Sequence, residues 1–207
     1  MSIFRRILRQ WRWFVAAALA VIVLPVVVSL ALPKQAARIL PLDPQVVSQP
    51  LPVNCLPDRV PGISNPSNQL SFALTARVLA DGNEYRLYQV SRKQQPNDAG
   101  FEHLVQIVNG QCRRLATNAM GNDNLYFHRI VSIPIARQLA LARLQQAVSK
   151  VGGAQAFQAR LSERFRQLPQ GEIVPIPEEE AWALEQLQIT LPANVRVVPA
   201  PPRSGGS

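Results

Sequence analysis

The chain has 207 residues, of which 22 are Lys or Arg, 13 are Asp or Glu, two are His and two are Cys. That length fits one domain with appended segments, and the composition excludes collagen-like, coiled-coil and wholly disordered chains as well as cysteine-dense disulfide scaffolds. The formal net charge of +9 is spread unevenly, because residues 77–166 hold 13 basic and only six acidic side chains.

Residues 1–12 form a short basic segment, and the 20 residues that follow, 13–32, carry no charge. As a helix rising about 1.5 Å per residue, this run is long enough to cross the hydrocarbon core of a bilayer, which is about 30 Å thick. It predicts one N-terminal transmembrane helix. A buried core helix is the alternative, which the scarcity of polar side chains disfavours, Ser29 being the exception.

The charges on either side of the apolar run predict its orientation. Four arginines precede it and two basic residues follow it, so the positive-inside rule keeps the N-terminus in the cytoplasm and exports the rest. We therefore expect a single-pass protein of a bacterial inner membrane, or of an internal membrane, with a periplasmic or lumenal C-terminal domain. The length of the run favours an uncleaved anchor over a signal peptide cleaved near residues 29–31. The flanking basic residues are Arg5, Arg6, Arg9, Arg12, Lys34 and Arg38.

Residues 33–69 contain eight prolines and no sustained hydrophobic period. Proline biases a segment towards extended, semi-rigid conformations, so this stretch is predicted to be a spacer between the membrane and the domain. Its later part, residues 52–55, is alternatively the place where the spacer attaches to the folded domain.

Residues 70–92 and 104–116 predict two β-hairpins. Apolar and polar side chains alternate from Leu70 to Val78, as in a half-buried strand. Asp81-Gly82 and Asn109-Gly110 each supply the positive-φ residues that a tight hairpin turn requires. Together the hairpins predict a four-stranded antiparallel sheet.

From Ser132 onwards the hydrophobic period becomes helical and predicts three helices. Ser132 is a good N-cap for the first, which ends at Gly152-Gly153. The third begins after Pro177, with Glu178, Glu179 and Glu180 in its first turn, where carboxylates face the positive end of the helix dipole. The second has an apolar stripe made by Phe157, Leu161, Phe165 and Leu168.

Strands followed by helices favour an α+β fold, in which two to three C-terminal helices cover the sheet, over a parallel α/β sheet. Residues 191–198 are a candidate edge strand. The predicted organisation is a basic N-terminus (1–12), a transmembrane anchor (13–32), a spacer (33–69), an exported domain (70–198) and a flexible tail (199–207).

Cys55 and Cys112 are the two cysteines of the chain. An even pair on the exported side of a membrane favours a structural disulfide, which the chain-entropy model values at roughly 4 kcal/mol for a loop of this length. Two free thiols or a redox pair are the alternatives. The redox pair is disfavoured because the Cys-X-X-Cys spacing is absent.

No sequence motif for nucleophilic catalysis, phosphate binding or metal binding is present. His103 and His128 are interpreted as hydrogen-bonded or surface histidines, since a zinc site needs three or four ligands at recognisable spacing. Three consecutive glutamates splay around a helix, which disfavours paired acid–base catalysis by Glu178–Glu180. We therefore expect no cofactor and no metal, and the sequence favours a non-enzymatic protein over an enzyme.

The basic side chains in the middle of the chain predict an interaction surface. Most of them are arginines, which bind carboxylates and phosphates in a bidentate manner. An ordinary solvated surface of mixed charge is the alternative, and nucleic acid is not expected because export separates the domain from it. The candidate partner-binding residues are Arg113, Arg114, Arg160, Arg164 and Arg166.

The predicted function is a membrane-tethered interaction, assembly or accessory-subunit protein. Its expected partner is a membrane protein or complex in the same bilayer, because tethering raises the effective concentration of such a neighbour; anionic lipid headgroups are a further candidate. The acidic third helix is predicted either to bind a basic partner or to cover the domain's own basic side chains.

The alternative function is an envelope enzyme or a small-ligand binder whose site no motif reveals. A pocket that joins several polar aromatic side chains would favour this alternative, and their dispersal would disfavour it. The side chains in question are Tyr85, Tyr88, His103, Tyr126 and His128.

Overall fold

The computed structural model describes residues 36–57, 69–94, 100–118, 126–169 and 171–199. The predicted N-terminal segment (1–12), the transmembrane anchor (13–32) and all of the predicted tail beyond residue 199 lie outside these ranges. Within the ranges, none of the helices combines the length and the apolar character needed to cross a bilayer.

Five antiparallel strands form the main sheet in the order β1-β2-β3-β4-β5. The predicted α+β class is confirmed, whereas the prediction of four strands is wrong. The additional strand, β1, pairs Arg38 with Leu79 and Ile39 with Val78 of β2; it has two residues, too few for a hydrophobic period to reveal it. The strands are β1 (Arg38–Ile39), β2 (Leu70–Ala80), β3 (Asn83–Arg92), β4 (Phe101–Val108) and β5 (Gln111–Thr117).

Two tight turns connect the hairpins as the sequence predicts. The φ angles are 50° at Asp81 and 74° at Gly82, and 50° at Asn109 and 76° at Gly110. Positive φ at both central residues is the requirement of a type I′ turn, whose twist matches that of the flanking strands. The turns therefore fix the β2–β3 and β4–β5 pairings.

A β-bulge at Thr75 divides β2 between the two faces of the sheet. Leu74 lies opposite Tyr88 and Ala76 lies opposite Leu87, so Thr75 is an extra residue on its strand. An extra residue reverses the facing of every side chain beyond it. The unbroken alternation of the sequence predicts a single buried face for β2, and that prediction is wrong.

The described residues also form four α-helices and two short 3-10 turns. The first long helix begins after Ser132, as predicted, and ends before Gly152 and Gly153, whose φ angles are 92° and 110°. The helices are α1 (Pro44–Val47), α2 (Ile133–Lys150), α3 (Ala154–Arg166) and α4 (Glu178–Gln186), and the 3-10 turns are Val53–Cys55 and Phe127–Arg129.

Helix α2 packs on one face of the sheet, α4 packs against α2, and together with the sheet they form the larger core. Val78, Leu87 and Leu104 of the sheet pack in one cluster with Leu139 of α2 and Leu184 of α4. Burying large aliphatic side chains contributes roughly 1.5–3 kcal/mol each, so this layer contributes a large part of the folding free energy.

The opposite face carries a second, smaller core that includes part of the predicted spacer. Leu74, Tyr88 and Val105 of the sheet pack there with the fully buried Cys55. Val46 and Leu51 of the spacer pack against the same cluster. We call residues 36–57 the covering segment, because after the edge strand β1 they continue over this face through Val46, Leu51 and Cys55.

Two further strands, β6 (Val174–Pro177) and β7 (Val195–Val198), form a separate parallel pair. The edge strand predicted at residues 191–198 is therefore present in a shorter form, and it pairs with β6 rather than with the main sheet.

Candidate functional site

The disulfide between Cys55 and Cys112 attaches the covering segment to β5. The two Cα atoms are 5.9 Å apart, and the predicted pairing is confirmed. Two hydrogen bonds flank it: Asn54 Nδ2 donates to the carbonyl of Cys112, and Arg114 Nη1 donates to the carbonyl of Leu56, each at 3.0 Å. The bond thus fixes the spacer, at Cys55, to the edge of the sheet.

His103 lies beneath the covering segment and is 1% exposed. Its Nε2 is 2.6 Å from the carbonyl oxygen of Cys55, which only accepts, so Nε2 donates. Its Nδ1 is 2.6 Å from Thr117 Oγ1. Both ring nitrogens are occupied by neighbours, which agrees with a structural role for this histidine.

Each of the three glutamates at the start of α4 contacts a different basic side chain of the same domain. Glu178 Oε1 accepts from Arg137 at 2.7 Å, and Glu180 Oε2 accepts from Arg143 at 3.3 Å. Glu179 contacts His128. The acidic turn therefore covers basic groups of the domain itself, as one of the two predictions for it states.

The contact between His128 and Glu179 joins two buried groups. His128 Nδ1 donates to Glu179 Oε2 at 2.7 Å, and the backbone N–H of His128 donates to Oε1 at 3.1 Å. Both side chains are 1% exposed. One carboxylate thus holds the 3-10 turn before α2 against the N-terminus of α4.

Arg143 of α2 connects the sheet to α4. Its guanidinium donates to Glu102 of β4 at 3.0 and 3.2 Å and to Glu180 of α4, and it lies 5.0 Å above the Phe127 ring. Burial on its own lowers the pKa of Arg143, but the charges of Glu102 and Glu180 outweigh burial, and the net pKa is raised. The side chain therefore stays charged inside the fold.

The predicted partner-binding arginines lie on two elements. Arg160, Arg164 and Arg166 are exposed on α3, where Arg166 also pairs with Glu163 at 2.6 Å. Arg113 and Arg114 are exposed on β5, and as consecutive strand residues they point to opposite faces of the sheet. The structure thus brings three of the five onto one helix.

The apolar stripe of helix α3 faces a cavity of about 420 Å³. None of its residues is fully buried. Phe157, Leu161 and Phe165 line the cavity on one side, and Ile176 and Leu184 line it on the other. The apolar side of α3 is therefore only half covered. Arg164 also lines this cavity, and Arg166 lies on another side of the helix beside a second cavity.

The five polar aromatic side chains do not meet in one cavity. Tyr126 lines the cavity below α3. Tyr85 belongs to the larger core, where Gln106 donates to its hydroxyl at 3.0 Å, and Tyr88 belongs to the smaller one. His103 and His128 are enclosed as described above. Within the described ranges, no group of three or more His, Cys, Asp or Glu is arranged to hold a metal ion.

The polar pairs of this region join residues far apart in the chain and could not be anticipated from the sequence. His128 and Glu179 are 51 residues apart, and Arg143 and Glu102 are 41 residues apart. The local signal, three glutamates in a first turn, marks the start of a helix but carries no information about distant partners. Comparison of the chain with known protein families, curated proteins and solved structures finds no match.

Proposed function

We propose that this chain is a membrane-anchored interaction or accessory-subunit protein whose exported domain binds an anionic partner through α3. The contact surface is formed by Arg160, Arg164 and Arg166, which we call the α3 arginine surface. The anchor is the apolar run of residues 13–32, and the partner is a membrane protein or complex in the same bilayer.

The observation that carries the proposal is that the glutamates at the start of α4 already contact basic groups of the same domain. Glu178, Glu179 and Glu180 are each engaged by a basic group of α2 or of the turn before it. They are therefore not available to neutralise α3, where Glu163 is the one acidic residue of the helix. Arg166 pairs with Glu163, and Arg160 and Arg164 remain on α3 as exposed positive charge without an ion pair among the described residues.

Arginine suits this role because its planar guanidinium binds a carboxylate or phosphate through two parallel hydrogen bonds. A single exposed ion pair contributes little. Arg160 and Arg164, one turn apart on the helix, are neighbours that can act together. A shared membrane further converts a weak encounter into one at high effective concentration.

The alternative of an enzyme or small-ligand binder receives less support. The polar aromatic side chains that would build such a site lie in two cores and at the rim of one cavity. Their hydrogen bonds are made within the domain, as for His103 and His128. Dispersed and internally paired groups are poor candidates for acid–base catalysis.

The test is extraction of the full chain in mild detergent, followed by native gel electrophoresis and mass spectrometry of the comigrating proteins. We expect comigration with a larger assembly, and we expect the Arg160→Glu/Arg164→Glu/Arg166→Glu variant to lose it while its circular dichroism and thermal unfolding stay unchanged. Arg113→Glu tests the contribution of β5 separately, since Arg113 lies on a different element.

A matched control reverses three exposed basic residues elsewhere, Arg38, Lys93 and Lys150. This variant changes the net charge by the same amount, so it separates a specific surface from a general electrostatic effect. Retained comigration in a folded α3 variant would contradict the proposal. Equal loss in both variants would contradict the assignment to α3, and binding of the wild type to anionic vesicles alone would identify a lipid rather than a protein partner.

A further inference from the structure

The parallel pair β6–β7 has features of an incomplete sheet. Two-stranded sheets are marginal in isolation, and parallel strands normally occur in larger sheets. Here the pair stands apart from the five-stranded sheet, and Ile173 beside it is 61% exposed while Val197 within it is 42% exposed. The backbone groups along its two edges decide which edge is able to accept another strand.

The outer edge of β6 is closed by proline. The backbone N–H of Val174 donates to the carbonyl of Asn194 at 3.0 Å, so Val174 faces β7 in the ladder. Because alternate residues of a parallel strand bond to the same neighbour, Ile176 also faces β7, and Pro175 and Pro177 face outwards. Proline has no N–H, so this edge has no donors to offer to an added strand.

The same alternation applies to β7, whose outer edge pairs with no strand of the described residues. Arg196 bonds to β6, which directs the backbone groups of Val195 and Val197 away from it. The N–H of Val195 is used by the carbonyl of Pro192 at 3.1 Å. The carbonyl of Val195 and both backbone groups of Val197 therefore face outwards, at the spacing that a neighbouring strand requires.

A cleft lies directly beside this edge. It has a volume of about 500 Å³, and Trp182, Ile189, Leu191 and Val197 form its apolar wall. Its charged lining consists of Arg137, which is paired with Glu178, and of the exposed Glu185, for which the described residues provide no ion pair. The unbalanced charge at the cleft is therefore negative.

We propose that the free edge of β7 and the adjoining cleft form a docking site for an extended segment of a partner protein. The segment adds to β7 as a third strand through main-chain hydrogen bonds at Val195 and Val197. One apolar side chain of the segment enters the cleft against Trp182, and a basic side chain faces Glu185. Main-chain bonds supply affinity in this mode of recognition, and side-chain pockets supply specificity. The site is separate from the α3 arginine surface and does not depend on it.

The experiment measures hydrogen exchange of the full chain in detergent with a synthetic peptide as the probe. The peptide alternates Thr and Val and carries one central Phe and one Lys; a second peptide has Glu in place of Lys. We expect the Lys peptide to slow exchange at Val197 and to bind about tenfold more tightly than the Glu peptide, because like charges at Glu185 oppose binding. Glu185→Lys is expected to reverse this preference.

Two variants separate the backbone from the side chain. Val197→Pro removes the outward N–H and leaves the ladder to β6 in place, so we expect it to abolish peptide binding. Val197→Ala keeps the N–H, and we expect binding to weaken by less than about tenfold. Thermal unfolding checks that both variants fold.

Three results would overturn the proposal. The first is that neither peptide slows the hydrogen exchange of Val197. The second is protection of Val197 in the wild type that disappears when the chain is truncated after Pro199, which would make the tail the occupant. The third is protection that rises with protein concentration together with a dimer, which would make a second copy the occupant.

Discussion

The two faces of the five-stranded sheet are covered in different ways. On one face, α2 and α4 contribute a continuous layer of buried aliphatic side chains, including Leu139, Leu144 and Leu184. On the other, the covering segment contributes the buried Cys55 and the partly buried Val46 and Leu51. One covering layer is regular and apolar, and the other is irregular and rich in proline.

The difference shows what each layer needs in order to stay in place. Regular helices satisfy their own backbone hydrogen bonds and can bury a whole apolar face, so packing alone holds them. The covering segment buries little apolar area and relies on specific bonds: the disulfide, the contact of His103 with Cys55, and the contact of Arg77 Nη1 with the carbonyl of Pro41 at 2.9 Å.

Removing the disulfide is expected to have the largest effect. Cys55→Ala/Cys112→Ala lowers the free energy of unfolding by about 4 kcal/mol, because the closed loop no longer restricts the unfolded chain. Denaturant unfolding measures the loss, and hydrogen exchange should accelerate in residues 36–57 while α2 stays protected. Reduced wild-type protein is the control and should behave in the same way. A loss below about 1 kcal/mol would mean that noncovalent contacts suffice to hold the segment.

A pair of cavity variants compares the two layers directly. Leu139→Ala removes a side chain that is 0% exposed and should lower the free energy of unfolding of the whole domain by about 3 kcal/mol. Leu51→Ala removes a partly buried side chain and should lower the free energy of unfolding by less than about 1 kcal/mol. Its structural effect should be limited to the covering segment. Equal losses in chemical denaturation would show that the two layers are energetically alike.

The smallest expected effect concerns acid stability on the face of the covering segment. Burial raises the pKa of Glu84, but hydrogen bonds and charges from Arg86 and Arg77 outweigh burial and lower the pKa below its ordinary value. The unfolded chain therefore binds this proton more readily, and the stabilisation is present above the unfolded pKa and lost as the pH falls through the folded pKa.

We accordingly expect Glu84→Gln to reduce stability at neutral pH and to flatten its decline below about pH 5. Urea unfolding at a series of pH values measures both. Parallel curves for the variant and the wild type would contradict the role given to the pair of arginines.

Local features of this fold are predictable from the sequence because they depend on neighbours in the chain. Asp81-Gly82 and Asn109-Gly110 specify their turns by backbone preference alone, and Ser132 and Gly152 mark the ends of α2. The pairing of Cys55 with Cys112 is predicted because the chain has only these two cysteines, an even number that favours one disulfide.

What the sequence does not reveal depends on distant partners or on irregular geometry. The bulge at Thr75 leaves the alternation of apolar residues intact while reversing its facing, so the pattern cannot disclose it. The Val-Pro-Ile-Pro sequence of β6 has no backbone N–H donors on one side, so the sequence alone does not predict a strand there. Only the structure shows that it pairs with Val195–Val198. The same holds for Glu179, whose partner His128 lies in a turn far back along the chain.

The position of the disulfide also determines how the domain responds to mechanical force from its N-terminal side. Tension applied at Ala36 first separates β1 from β2, which two residue pairs and the hydrogen bonds of Arg77 to Leu40 and Pro41 resist, and then unwinds α1. The extension ends at Cys55, whose covalent bond to β5 passes the load into the main sheet. Residues 36–54 thus act as an extensible tether of roughly 60 Å when fully drawn out, while the helix-covered core behind the disulfide remains intact.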